Sequence, residues 1–187
     1  MSRASRRRSA SECARPAYVR SFVDRLAAER IGTTFNQYAE SALLRRRLVA
    51  YLASRRDAHV LLVGEAAGYR GARISGIPFT SERQLTGTGP AEATATIVRR
   101  VLAELGVERD VLLWNVVPTH PGTDCSNRKP TREEVEGGLP FLEALAAGRR
   151  IIAVGRLAHG VLGGPYVRHP SHGGAVGFRN GLVELLG

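Results

Sequence analysis

Lysine and cysteine are almost missing from this chain of 187 residues. Its 27 basic residues include one lysine, Lys129, so arginine carries nearly all of the positive charge. The two cysteines, Cys13 and Cys125, cannot by themselves build a four-thiolate zinc site or iron–sulfur cluster. We therefore expect no metal site and no cofactor. Because Cys13 lies in an arginine-rich N-terminal segment, we expect no structural disulfide and predict a reducing, cytoplasmic location.

Long apolar runs are also missing, and no stretch approaches the roughly 20 apolar residues of a membrane-spanning helix. With 43% hydrophobic residues, the chain is long enough to bury one full core. Residues 1–15 lack the apolar region of a secretory signal, although their arginine- and serine-rich composition also suits an organelle transit peptide. We predict a flexible basic tail over residues 1–15, a single domain over residues 16–187, and a monomeric protein.

Positive charge is present in excess, with a formal net charge of +10. Residues 1–20 alone contain six arginines and one glutamate. Such a balance indicates a polyanionic partner, nucleic acid first and an anionic membrane surface second, unless the basic surface has no partner at all. We expect a nucleic acid as the partner rather than a membrane.

Apolar patterns alternate between strands and helices along the chain. Strands are predicted at His59–Val63, Val111–Val117, Ile151–Val154 and Tyr166–His169. Helices are predicted from Pro16 to near Gly32, over Tyr38–Ala53, from Gly89 and Pro90 to Gly106, from Thr131 to about Ala147, over Arg156–Leu162, and up to Leu186. This order predicts a three-layer α/β/α fold with a central, mainly parallel four-stranded sheet. In such sheets the ligand site lies beyond the carboxyl ends of the strands.

A glycine-rich turn, Gly64–Gly68, follows the first predicted strand. Small residues let a ligand approach the backbone N–H groups closely. The turn carries one carboxylate, Glu65, and the loop after it ends in one aromatic ring, Phe79. Together they indicate a pocket for a flat polar ring. The glycine spacing does not fit the dinucleotide fingerprint, and no lysine follows the last glycine as a P-loop requires.

Two further polar residues stand near the ends of other predicted strands, Asn115 in the second and His169 in the fourth. The carboxyl ends of parallel strands meet at one edge of a sheet, so both side chains are predicted to reach the crevice beside Phe79. Alternatively, Asn115 is a core amide bonded to a neighbouring loop and His169 is a turn histidine before Pro170.

Together these segments resemble the uracil-DNA glycosylase superfamily, its family 4 branch in particular. Gly64–Gly68 is similar to the GEAPG motif of that branch, and Gly76–Phe79 to its G-x-P-F segment. Further matching segments are Leu113–Val117, Asn127–Thr131, Ile152–Gly155 and, as the H-P-S motif, His169–Ser171. The resemblance covers about residues 58–175, with the motifs in the same order.

This resemblance implies a role for each matching residue. The catalytic residues would be His169, Glu65 and Asn115. The substrate would be bound by Gly64, Glu65, Ala66, Gly68, Phe79, Asn115 and His169, and DNA by Tyr69, Arg70, Arg73, Ser171 and His172.

The implied reaction begins with a nucleotide that leaves the helical stack. Phe79 stacks on the flipped uracil, while the Asn115 amide accepts from N3–H and donates to O4, a pattern that cytosine reverses. A neutral His169 and the backbone of the glycine turn stabilise the charge that develops on O2, and Glu65 favours the oxocarbenium-like sugar. The resemblance thus implies a monofunctional DNA glycosylase that hydrolytically removes uracil from double- or single-stranded DNA and leaves an abasic site.

Two other functions stay open from the sequence. One is a non-catalytic or weakly catalytic binder of uracil-containing or single-stranded DNA, and the other is a glycosylase for another deaminated base such as hypoxanthine. Lyase activity needs an amine that forms a Schiff base. Since Lys129 is the sole lysine and stands at a predicted helix start, no lyase activity is expected.

The sequence also departs from the family pattern. Ala67 replaces the usual proline, and Ala66 stands where family 1 enzymes carry a water-positioning aspartate. The base that activates water therefore has three alternatives, which are Glu65, Asp124 and His120.

Other departures concern the cofactor, the side chain that fills the gap left by a flipped base, and the choice of base. The four cysteines that hold an iron–sulfur cluster in family 4 are missing, which implies a cluster-free relative. His120 or Thr119, and Gly137–Gly138, stand near where the resemblance implies two of those ligands. Ser171–Gly174 offers no bulky side chain to fill the gap left by a flipped base. Gly68 stands where family 1 has a tyrosine that blocks a methyl group, so the sequence does not explain how thymine is excluded.

Overall fold

A parallel four-stranded sheet forms the centre of the computed structural model, which describes residues 16–187. The predicted basic tail lies outside the described residues. In chain order the strands are β1 Val60–Ala66, β2 Val111–Val117, β3 Gly122–Thr123, β4 Ser126–Asn127, β5 Arg150–Val154 and β6 Tyr166–Val167. The central sheet has the order β2-β1-β5-β6 with all neighbours parallel, and β3 and β4 form a separate antiparallel hairpin.

Helices flank this sheet, and the predicted three-layer α/β/α fold is confirmed. They are α1 Pro16–Ala28, α2 Gln37–Glu40, α3 Ala42–Ser54, α4 Ala72–Ser75, α5 Glu82–Thr86, α6 Ala93–Glu104, α7 Arg132–Ala146, α8 Arg156–Leu162 and α9 Ala175–Leu186. One hydrophobic cluster joins buried residues from Val19 of α1 to Leu182 of α9. Within residues 16–187, no helix is long and apolar enough to cross a membrane.

The outer edge of β2 is closed by a tyrosine hydroxyl from α3. The backbone N–H of Leu113 donates to the Tyr51 hydroxyl at 2.7 Å, and this hydroxyl donates to the Leu113 carbonyl at 3.4 Å. Since edge strands carry backbone groups without a neighbouring strand, this contact supplies partners that the ladder does not.

The predicted helix over Tyr38–Ala53 is two helices in the structure. Ser41 is extended, with φ −134° and ψ 112°, and its hydroxyl accepts from the N–H of Leu44 as the N-cap of α3. A serine that bonds the backbone in this way starts a new helix rather than continuing the old one. Leu43, in the first turn of α3, is 47% exposed.

Two further boundaries differ from the sequence prediction, and both affect the site. The helix expected from Gly89 and Pro90 begins only at Ala93, with Glu92 as its N-cap. The fourth strand of the sheet ends at Val167, so His169 lies in the loop beyond it.

Candidate active site

The glycine at the end of β1 brings an aromatic ring and an amide together. Gly64 pairs with Asn115 in the parallel register of β1 and β2. A Cβ atom on residue 64 would lie 2.3 Å from Cζ of Phe79 and 2.9 Å from Oδ1 of Asn115. Both distances are too short for non-bonded atoms, so only glycine allows the ring and the amide to lie this close to the strand.

Phe79 is held in an uncommon backbone conformation. Its φ of 49° lies in the left-handed region, which bulky residues rarely adopt. Its loop is fixed from both sides, because the Ser75 hydroxyl donates to the Thr80 carbonyl at 2.6 Å and Arg99 Nε donates to the Phe79 carbonyl at 3.4 Å. The ring is therefore positioned before any ligand arrives, which reduces the entropy that binding would cost.

The side-chain amide of Asn115 has no partner in the described part of the chain. Asn115 is 4% exposed, yet its amide forms no hydrogen bond to another group of residues 16–187. The residue lines a cavity, so water or a ligand can reach the amide that the protein leaves without a partner. The alternative of a core amide bonded to a neighbouring loop does not hold, and a ligand is the group that would satisfy it.

The cavity beyond the strand ends has a volume of about 710 Å³. It gathers residues from the turn after β1, from β2, from the loop before α7 and from the loop after β6. Its lining includes Glu65, Ala66, Gly68, Phe79, Glu92, Asn115, Lys129, Arg156, His169, Ser171 and His172. The three side chains predicted to meet around a flat ring, those of Phe79, Asn115 and His169, thus face one cavity.

His169 is packed against Gly155, where a Cβ atom would lie 3.3 Å from Cβ of the histidine. Its Nδ1 accepts from the backbone N–H of Ser171 at 3.2 Å, so in the neutral ring the proton is on Nε2. Burial lowers the pKa of His169, and the nearby His172 lowers it further. The residue is therefore a neutral imidazole at pH 7 with one N–H donor.

Glu65 is a half-buried carboxylate on the cavity wall, and no hydrogen bond ties it to another group within residues 16–187. Burial raises the pKa of Glu65, while the positive charge of Lys129 lowers it. The only lysine of the chain therefore lies on the same cavity wall as this carboxylate. The sequence placed Lys129 at a helix start and did not reveal this proximity.

Glu92 is a second cavity carboxylate, and sequence reasoning missed it. Burial raises the pKa of Glu92 to about 7. The residue precedes α6 in a stretch that had been assigned to the helix, so no local pattern pointed to the pocket. The available signal was an acidic residue next to a predicted helix start, which is commonplace and does not indicate a site by itself.

The residues predicted to contact DNA lie in different surroundings. Ser171 and His172 line the cavity. Tyr69 and Arg70 do not line the cavity. The guanidinium of Arg70 lies over the Tyr69 ring, 5.3 Å from the ring centroid. Arg73 is 17% exposed and pairs with the carboxylate of Asp124. That pairing engages one nitrogen of the guanidinium, and the DNA contact expected for Arg73 stays a prediction.

Of the three alternatives for the base that activates water, Glu65 is the one that lines the cavity. Asp124 is 92% exposed and bound to Arg73. His120 is fully buried, with Nδ1 2.7 Å from the carbonyl of Ala67 and Nε2 2.8 Å from that of Thr123. Both of its ring nitrogens thus contact backbone carbonyls, and His120 itself does not line the cavity.

The described residues do not fit the iron–sulfur cluster that the family 4 resemblance implies. Thr119, in the region expected for one ligand, bonds the hydroxyl of Thr34 at 2.6 Å. Gly138, near another expected ligand, packs so closely that a Cβ atom would lie 2.1 Å from the Val116 carbonyl oxygen. Cys125 is exposed on the β3–β4 hairpin, and residues 16–187 contain no group of three or more potential metal ligands.

A family model and a curated relative both match this chain, and both are named for uracil-DNA glycosylases. A model described as "Uracil DNA glycosylase superfamily" matches residues 51–182. The type-4 uracil-DNA glycosylase of Pyrobaculum aerophilum is 37% identical over 103 residues, which are 53% of this chain and 45% of that protein. The match therefore spans about half the length of this curated relative.

Solved structures are similar at lower sequence identity. The crystal structure of SMUG2 from Pedobacter heparinus has a TM-score of 0.66, with 12% identity, over 89% of this chain and 96% of that chain. The UNG structure from Nitratifractor salsuginis has a TM-score of 0.45, with 16% identity, over 94% and 95% of the two chains. At 12% sequence identity, the similarity to SMUG2 shows a shared fold.

Proposed function

The chain belongs to the uracil DNA glycosylase superfamily, and from this premise we propose that it is a monofunctional DNA glycosylase. It flips uracil out of DNA, hydrolyses the bond between the base and C1′, and leaves an abasic site. The observation that carries the proposal is the convergence of Phe79, Asn115 and His169 on one cavity. The type-4 uracil-DNA glycosylase with which it shares 37% identity supports uracil as the base.

Recognition of the base rests on the unpartnered amide of Asn115. Its oxygen accepts from N3–H of uracil, and its NH₂ group donates to O4. Cytosine offers an acceptor at N3 and a donor at C4, so the same amide would meet two mismatched groups. Leaving buried polar groups unpaired is costly, and a site built on such hydrogen bonds discriminates by roughly 10⁴-fold or more.

The departing base carries negative charge on O2, and His169 provides the donor that meets it. Since Nδ1 accepts from Ser171, the Nε2–H is available to the cavity. A neutral imidazole donates this hydrogen bond without losing its proton to the base. Donors fixed in place before the reaction stabilise developing charge more effectively than mobile water does.

Glu65 acts on the sugar side of the bond. As a carboxylate, it favours the oxocarbenium-like sugar and orients the water molecule that adds to C1′. Its pKa, raised by burial, suits a group that accepts the proton of that water. The positive charge of Lys129 opposes the rise in the pKa of Glu65 that burial causes, and so favours the ionised form.

DNA is the proposed macromolecular partner, in double- or single-stranded form. Cationic side chains of Lys129 and Arg156 line the cavity together with His172, and all three residues are exposed. They lie where phosphates on either side of a flipped nucleotide would pass. We also propose that the protein acts as a monomer in the cytoplasm, associated with the nucleoid.

A base-release assay tests the proposal. The purified chain is incubated with oligonucleotides that carry uracil, hypoxanthine, xanthine or thymine, and alkali-labile sites are counted. We expect release of uracil, and a loss of roughly 10²–10³-fold for His169→Ala, as for removal of one donor to a developing anion. Asn115→Ala should likewise lose base release while both variants keep DNA binding.

Two further readouts distinguish the alternatives. His159→Gln serves as the matched control, because this histidine is exposed and stacks on Tyr166 outside the cavity lining. Strand scission without alkali would contradict the monofunctional assignment, and its loss in Lys129→Gln would identify the amine. Binding of uracil-containing DNA with no base release would instead indicate a non-catalytic binder.

A further inference from the structure

Glu92 occupies the space directly above the glycine turn. A Cβ atom on residue 68 would lie 2.1 Å from Oε1 of Glu92, and one on residue 71 would lie 2.2 Å from Oε2. Neither glycine has a φ in the left-handed region. The carboxyl group and any side chain at these two positions would compete for the same volume. The Glu92 carboxyl group therefore fills the space that a side chain at residue 68 would otherwise occupy.

The carboxyl group of Glu92 has no structural task that accounts for this position. Although Glu92 is the N-cap of α6, its side chain makes no capping hydrogen bond. No ion pair or hydrogen bond joins the carboxyl to another group within residues 16–187. Its desolvation is consistent with a group pressed against the wall of a pocket, since burial raises its pKa to about 7.

Glu92 and His169 stand on opposite sides of β1. The turn that carries Gly68 is bound on the β2 side, where the Ala67 N–H donates to the Val117 carbonyl at 3.3 Å. His169, in contrast, packs on Gly155 at the end of β5. Since β1 lies between β2 and β5, a ligand above the end of β1 has the histidine on one side and Glu92 on the other.

The geometry of uracil then assigns the side that faces Glu92. In the six-membered ring, C5 lies directly opposite C2. If O2 on C2 meets His169 and the N3–O4 edge meets Asn115, the C5 edge faces the wall of Gly68 and Glu92. We propose that Glu92 closes the C5 side of the base pocket and so determines that a base with a C5 methyl group, such as thymine, is rejected. This inference rests on the proposed function and names the specificity of the same site.

Two variants of Glu92 test the inference with substrates of increasing size at C5. Duplexes carrying uracil, 5-fluorouracil or thymine opposite guanine are given to wild type, Glu92→Ala and Glu92→Gln. Opening the wall in Glu92→Ala should raise the rate for thymine relative to uracil by roughly 10–200-fold, the range expected for one methyl group. Glu92→Gln keeps the shape, so its ratio should stay within about threefold of wild type.

Refilling the space provides a second test. Adding Gly68→Ala to Glu92→Ala places a methyl group close to the volume that the carboxyl vacated. The double variant should return the thymine-to-uracil ratio at least part of the way to that of wild type. Thermal unfolding of each variant checks that it is folded. An unchanged ratio in folded Glu92→Ala would overturn the inference, as would loss of uracil release in both Glu92→Ala and Glu92→Gln, which would make Glu92 a base for water.

Binding separates the inference from the proposed function. Oligonucleotides with 2′-fluoro-2′-deoxyuridine, or with its 5-methyl analogue, resist cleavage and can be titrated against each variant. We expect wild type and Glu92→Gln to prefer the uridine analogue and Glu92→Ala to lose that preference. If wild type shows this preference but releases no base, the proposed catalysis fails while Glu92 keeps its role. If wild type releases uracil but binds both analogues equally, the inference fails and the catalysis stands.

Discussion

At the scale of single residues, the site depends on how closely groups approach the end of β1. Gly64 allows the Phe79 ring and the Asn115 amide to lie against the strand, and any side chain there would separate them. The Ser171 N–H fixes the proton of neutral His169 on Nε2. Two carboxylates share the cavity, and burial raises the pKa of both. Glu92, whose pKa is raised to about 7, should therefore change its protonation near neutral pH, where exposed acids stay ionised.

Glu65 should set the acid limb of the activity profile. Because only its carboxylate form favours the sugar cation, uracil release should fall as the pH drops through its raised pKa. Glu65→Gln should lower kcat by roughly 10²–10⁴-fold and remove this limb. Lys129→Gln should move the limb to higher pH, because it removes the charge that lowers the pKa of Glu65.

Single-turnover rates from pH 4 to pH 9 provide the measurement. Glu143→Gln, at an exposed position of α7, is the matched control. A limb that stays in place in both Glu65→Gln and Lys129→Gln would show that another group titrates.

At the scale of elements, the start of α7 anchors the loops around the cavity. Thr131 and Glu134 form a reciprocal capping box. The structure adds two partners, because the fully buried Glu134 also receives hydrogen bonds from Arg128 and from the Thr33 hydroxyl. The hydrogen bond from Arg128 is the main reason that the pKa of Glu134 falls to about 2. One carboxylate thus joins a helix cap, a cavity loop and the segment after α1.

Glu134→Gln should destabilise the protein by roughly 2–4 kcal/mol, since it removes one partner of a buried ion pair whose arginine is partly exposed. The stabilising effect of Glu134 is full above its ordinary pKa of 4.5 and is lost as the pH falls toward its folded value of about 2. Urea unfolding at pH 7 and pH 3 should therefore show a smaller difference between wild type and Glu134→Gln at pH 3.

The matched control for this measurement is Glu133→Gln, an exposed acid in the same first turn of α7. It should change the free energy of unfolding by less than about 0.5 kcal/mol. Equal unfolding free energies for wild type and Glu134→Gln at pH 7 would contradict the anchoring role.

At the scale of the whole molecule, positive charge is distributed unevenly. Residues 1–15 contain five arginines and one glutamate, against a net charge of +10 for the entire chain. Within the described part, several arginines are engaged by the protein itself, among them Arg47 with Glu82 and Arg149 with the Ala58 carbonyl. The N-terminal segment therefore carries a large share of the charge that a DNA backbone would meet.

Removing residues 2–15 should weaken DNA binding and reduce its salt dependence. Each phosphate contact contributes about −0.9 to the slope of log affinity against log salt, so the slope should lose up to about four units. Fluorescence anisotropy at a series of salt concentrations provides the measurement. A chain with the five arginines replaced by serine, at unchanged length, is the matched control and should behave like the deletion. An unchanged slope would mean that the segment does not contact DNA.

The amino-acid sequence by itself determined the four strands of the central sheet to within a few residues, the order of the layers and the motifs near the strand ends, but not the β3–β4 hairpin. These follow from runs of apolar residues, from glycines and from caps, which act over a few neighbouring residues. It also placed Phe79, Asn115 and His169 at one edge of a parallel sheet, because that edge is fixed by strand direction alone.

Only the tertiary structure decided which loop side chains reach the cavity. Glu92 and Lys129 line it, while Arg73 is bound to Asp124 instead. Each of these positions depends on the packing of loops that are distant in sequence, and no local periodicity records such packing. The same reason explains why the carboxyl above Gly68 could not be found from the glycine turn: the residue that fills the space comes from another part of the chain.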